Sequence, residues 1–264
     1  MYERGQGVAQ DYAEAAKWTR KAADQGLAQA QNNLGVIYER GHGVAQDYAE
    51  AAKWYRLAAD QGLAQAQSNL GADYYEGQGV PQNYAEAAKW YRLAADKGFA
   101  VAQSNLGAVY ADGQGVAQDY AEAVKWTRKA ADRGFAKAQS NLGNMYYKGQ
   151  GVAQDYAEAA KWWRLAADQG LTDAQYSLGD SYAFGEGVPQ DYIRAHMWFN
   201  LAAAQGAEGA LKNRDIVARN MTPGSDRRGA AAGAGMEAQA VKSIAADRRP
   251  FHAWRSGCFG RDRR

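Results

Sequence analysis

Apolar and polar positions along this chain fall into a helical rhythm, and the rhythm itself recurs. In "AQAQNNLGVIYER", residues 28–40, Ala30, Leu34, Ile37 and Tyr38 stand at intervals of three and four, which predicts a helix with one apolar side. Gly41 follows, where a left-handed residue would end that helix. After "GHGVAQ", the run "DYAEAAKWYRLAAD" (47–60) places Tyr48, Ala51, Ala52, Tyr55, Ala58 and Ala59 on a second apolar stripe, with Gly62 as its stop. Asp47 at the start with Glu50 three residues on predicts a capping box. The alanines permit close helix approach and the aromatics fill the space between neighbours.

The same pair of helices, here called A and B, returns along most of the chain. Trp18, Trp54, Trp90, Trp126, Trp162 and Trp198 are 36 residues apart, as are Tyr38, Tyr74, Tyr110, Tyr146 and Tyr182. Such a period predicts stacked supersecondary units in which each repeat buries the next. Full repeats are placed at 27–62, 63–98, 99–134, 135–170 and 171–206, with a partial repeat at 1–26 and a capping helix at 207–222. The fold class expected is all-α, an α/α solenoid in the form of a right-handed superhelix of helix-turn-helix repeats.

Composition agrees with a folded chain: 47% of the 264 residues are hydrophobic and eight are Trp. No run approaches the roughly 18 apolar residues that span a bilayer, so no transmembrane segment is expected. The net charge of +2 divides unevenly. From Gly224 onward eight Arg and one Lys face four acids, which puts +5 on the tail and leaves −3 on residues 1–223. A basic tail raises nucleic acid as a partner, the weaker expectation here for a reason that lies in the codons. Dropping one base at Gly224 allows the frame to read Asp-Gln-Ile-Ala-Glu-Ala-Gln-Arg-Leu-Ala-Arg-Glu-Trp, whose Trp is forced by the codons of Met236 and Glu237. Residues 224–264 are therefore expected to be an irregular, disordered tail or the product of a shifted frame. Met1 aligns with Met145, inside helix A, so the chain opens in mid-repeat. An export signal would lie upstream of that point, and the compartment stays open, periplasmic export included.

The recurring pattern "A-x-A-Q-x-N-L-G-x-x-Y-x-x-G-x-G-V-x-Q-D-Y-x-x-A-x-x-W-x-x-x-A-A-x-x-G" resembles the Sel-one-like repeat family, relatives of the tetratricopeptide repeat, over residues 1 to 223. The resemblance implies an α/α solenoid, frequent in bacteria, that serves as a scaffold for protein–protein interaction and is in general no enzyme. One branch of the family ties each repeat with a disulfide; the single cysteine, Cys258, lies outside the repeats.

By analogy with tetratricopeptide repeats, the second, fifth, sixth, ninth, twelfth and thirteenth residues of helix A face a concave surface. The sixth column holds Asn33, Asn69, Asn105, Asn141 and Ser177, amides able to hold a peptide backbone or to bond between repeats. The twelfth and thirteenth columns vary: Glu39 and Arg40, Tyr75 and Glu76, Ala111 and Asp112, Tyr147 and Lys148, Ala183 and Phe184. Mixed aromatic and charged side chains suit recognition of a protein or peptide. Tyr75, Tyr147 and Phe184 are the expected anchors, and loss of binding with retained fold is expected when Tyr75 and Tyr147 become Ala. Asp73 breaks a column that otherwise holds Ile37, Val109, Met145 and Ser181, and is expected either at the groove or paired locally.

Catalytic chemistry finds little to build on. The Gly-x-Gly pairs, from Gly5 and Gly7 to Gly185 and Gly187, lack a following Lys-Ser/Thr and read as turns rather than phosphate cradles. Glu14, Glu50, Glu86, Glu122 and Glu158 each precede a Lys by three residues and read as solvated ion pairs. His42, His196 and His252 share no ligand spacing, so no metal and no cofactor is expected. No catalytic residue is assigned. The enzymatic alternative carried by the resemblance is a hydrolase of cell-wall or β-lactam substrates, which would show turnover. Nucleic-acid binding through the tail would instead weaken steeply with salt.

Overall fold

A computed structural model describes residues 11–221. The first Gly-x-Gly pair, the frame question and the basic segment 224–264 lie outside the described residues. Within them are twelve α-helices and no strand: α1 (Tyr12–Asp24), α2 (Ala28–Arg40), α3 (Tyr48–Asp60), α4 (Ala64–Glu76), α5 (Tyr84–Asp96), α6 (Ala100–Asp112), α7 (Tyr120–Ala131), α8 (Ala136–Lys148), α9 (Tyr156–Asp168), α10 (Thr172–Phe184), α11 (Tyr192–Ala204) and α12 (Ala210–Ala218). Helix A of the repeat is α2, α4, α6, α8 and α10; the odd-numbered helices are helix B. The fold is an α/α solenoid whose two compact units divide between Asp119 and Tyr120. Consecutive helices pack in series within each, α1 to α6 in the first and α7 to α12 in the second.

The local chemistry explains the helix ends. Asp47 accepts from the amides of Ala49 and Glu50 (2.9 and 3.0 Å), and Asn83 and Asp155 act alike at α5 and α9. The expected capping box forms only by half. The Asp47 amide donates to the carbonyl of Tyr38 at 3.0 Å, so the cap residue is tied to the preceding helix A, while Glu50 turns outward to Lys53. Helix A begins without a side-chain cap and ends on a left-handed glycine such as Gly77 (φ 71°), whose amide donates to the carbonyl of Asp73. The second glycine of each pair is more tightly constrained. Gly79 (φ 69°) lies where an added Cβ would stand 2.0 Å from the carbonyl oxygen of Tyr48, at the first turn of the preceding helix B.

Helix B buries Ala51, Ala52, Tyr55, Ala58 and Ala59 as its pattern predicts. Tyr48, expected on that stripe, stays exposed, its hydroxyl accepting from Gln46 Nε2 at 3.0 Å. Leu34, Leu70, Leu106, Leu142 and Leu178 supply the helix A side of the core. A glycine one residue after each leucine lets an aromatic ring lie on the backbone: a Cβ at Gly71 would meet Tyr91 Cδ1 at 2.8 Å, and at Gly143 would meet Trp163 Cδ1 at 2.6 Å. Asp73 is buried, not at the groove.

Two side-chain ladders account for the invariance of Trp, Tyr and Gln. Arg56 from helix B donates to the hydroxyl of Tyr74 on the next helix A, and its guanidinium carbon lies 5.6 Å from the Tyr74 ring and 5.1 Å from Trp90 on the next helix B. Arg20 and Arg164 do the same with Tyr38 and Trp54, and with Tyr182 and Trp198. Gln67 is buried and donates to the carbonyl of Ala59 at 3.1 Å, closing the end of the preceding helix B, as Gln103 and Gln175 do for Ala95 and Ala167. The Glu–Lys pairs by contrast lie on exposed helix faces; Glu86 and Lys89 approach to 2.6 Å. Lys89→Ala should therefore shift the free energy of unfolding by less than about 0.5 kcal/mol in urea denaturation.

Candidate functional site

The side chains left over from packing define what helix A can offer to a partner. In the first unit, Asn33 is exposed and accepts from Gln29 Nε2 at 3.1 Å within its own helix. Asn69 is half-buried and donates to Asn32 Oδ1 of the preceding repeat at 3.1 Å, the inter-repeat bond that a sixth-position amide can make. Asn105 and Arg40 are half-buried at the same face. Tyr75 donates its hydroxyl to Gln114 Oε1 in the loop of the following repeat, and its ring meets Tyr84 edge-on at 5.0 Å. It therefore contributes to packing between repeats as well as to the surface.

The second unit brings more chemistry together. Tyr147 of α8 packs at 5.1 Å from Tyr156 and 5.4 Å from Trp163, and its hydroxyl bonds to Glu186 in the loop after α10. That bond, with partial burial, raises the Tyr147 phenol above its ordinary value. Asn141 is half-buried and Lys148 exposed. Phe184 ends α10 with 71% of its surface in solvent, the most exposed large apolar side chain among the described residues. One turn before it stands Asp180, half-buried, with Asn213 Nδ2 at 3.4 Å. The same Asn213 amide donates to the hydroxyl of Tyr176 at 2.8 Å, repeating across 37 residues the bond between Asn69 and Asn32. Burial first and the charge of Glu186 second push the Asp180 carboxyl up to about 6.

Tyr176, Asp180 and Glu186 are absent from the sequence-based candidates. The signal was present in the columns: where Tyr176 stands the other repeats have Asn32, Ser68, Ser104 and Ser140, and where Asp180 stands they have Val36, Ala72, Ala108 and Asn144. Each departure is modest alone, and only the fold shows that Glu186 and Asn213 join them. Among the described residues no cluster of three or more His, Cys, Asp or Glu could hold a metal, and no helix is long and apolar enough to cross a membrane.

Comparison with known proteins gives one family. The Sel1 repeat model matches six times, at residues 1–27, 28–63, 64–99, 100–135, 136–171 and 172–206. A Sel1 repeat protein from Oxalobacter formigenes is similar at 35% identity and a TM-score of 0.69, over 77% of this chain and 86% of that one. A Sel1 repeat protein from Klebsiella pneumoniae shares the fold at 22% identity and a TM-score of 0.52, over 77% of this chain and 99% of its own. Immunity protein Pa5087 from Pseudomonas aeruginosa shares it at 22% identity and 0.51, over 78% and 81%. No curated protein matches.

Proposed function

The chain belongs to the Sel1 repeat family, in general a non-catalytic scaffold fold that mediates protein–protein interaction, and on that premise we propose that it is itself a non-enzymatic scaffold holding a protein or peptide against the face lined by its A helices. One observation supports the reading: the recurring Arg, Tyr, Trp and Gln side chains are consumed in packing between repeats, while the last position of helix A, half-buried or exposed, changes from Arg40 through Glu76, Asp112 and Lys148 to Phe184. Arg56, Tyr74, Trp90 and Gln67 bond or stack with neighbouring repeats. The second column runs Gln29, Gln65, Val101, Lys137 and Asp173, and the thirteenth ends in exposed Lys148 and Phe184. An exposed phenylalanine beside charged residues is the composition of an interface anchor. The immunity protein of Pseudomonas aeruginosa is built on the same fold.

The reading is tested by probing a peptide array with the full chain and with variants. Phe184→Ser combined with Lys148→Glu should cut the signal at least tenfold at unchanged circular dichroism and thermal midpoint, whereas Leu165→Ser, at an exposed position of helix B, should leave it intact. Dependence on Leu165 rather than on Phe184 would place binding elsewhere. Hydrolysis of a chromogenic β-lactam or of peptidoglycan by the purified chain would defeat the non-enzymatic reading outright.

A further inference from the structure

We draw no further inference here: the strongest candidate, the exposed leucines Leu57 of α3 and Leu93 of α5, which share one repeating position of helix B in the first unit, is an apolar face with nothing in the structure to show what covers it.

Discussion

Gly79→Ala should destabilise the first unit by about 3–5 kcal/mol, far more than a methyl group ordinarily costs on a protein surface. Two effects add. The residue sits at φ 69°, where an L side chain costs roughly 1–2 kcal/mol because its Cβ crowds the following carbonyl. The new Cβ would also stand 2.0 Å from the carbonyl oxygen and 2.3 Å from the carbonyl carbon of Tyr48. Those are backbone atoms of the first turn of α3, which cannot rotate away as a side-chain tip could, so the loop after α4 must lift from the preceding repeat. Because each repeat is stabilised through its neighbours, the loss spreads along the array.

Gly170→Ala separates the two effects. Gly170 also has a positive φ, 85°, but nothing lies within 4 Å of where its Cβ would be. It should cost about 1 kcal/mol, the conformational part alone. Urea denaturation of both variants against the parent chain measures the difference, and hydrogen exchange should show lost protection in α3 and α4 for Gly79→Ala only. Equal losses at the two positions would mean that the close approach to Tyr48 carries no energy, and that the Gly-x-Gly turn is set by backbone conformation alone.

That contrast marks where reading the sequence stops. A turn glycine at Gly77 or Gly170 is legible because it follows a helical stripe, and the period of 36, the helix pairs, the Asp caps and the Glu–Lys pairs are legible for the same reason: they depend on residues close in the chain. The backbone approach of Gly79 to Tyr48 is not, since it joins residues 31 apart whose contact exists only once repeats are stacked. The capping box failed in the same way. Asp47 and Glu50 have the spacing, but the Asp47 amide finds the Tyr38 carbonyl of helix A first. At the candidate site, Tyr75 and Tyr147 read as free anchors from their column, yet a tyrosine at that position reaches the next repeat and bonds Gln114 or Glu186. Asp180 is not legible from its column, because its surroundings come from Glu186 six residues on and from Asn213 on another helix.

Identical letters in the repeat should also carry unequal weight, and the tryptophans give the largest expected spread. Trp198→Ala should cost about 3–5 kcal/mol, the range for emptying a buried aromatic site, while Trp18→Ala should cost under about 1 kcal/mol. Trp198 is 1% exposed, lies in the core formed with Leu178, Phe199 and Val217, and is stacked at 5.1 Å on the guanidinium of Arg164. Removing it opens a cavity and takes one of the aromatic faces from a half-buried cation that also donates to Tyr182. Trp18 is 53% exposed on α1, the first described helix, with Lys21 at 4.2 Å from its ring. Its loss exposes little and leaves a solvated lysine. Thermal unfolding of the two variants should therefore differ by several degrees or more in midpoint, with Trp198→Ala the lower. Near-equal midpoints would mean that the Arg–Tyr–Trp ladder stabilises each repeat from within rather than through its neighbour, and the account of why these tryptophans recur would have to be rebuilt on helix B alone.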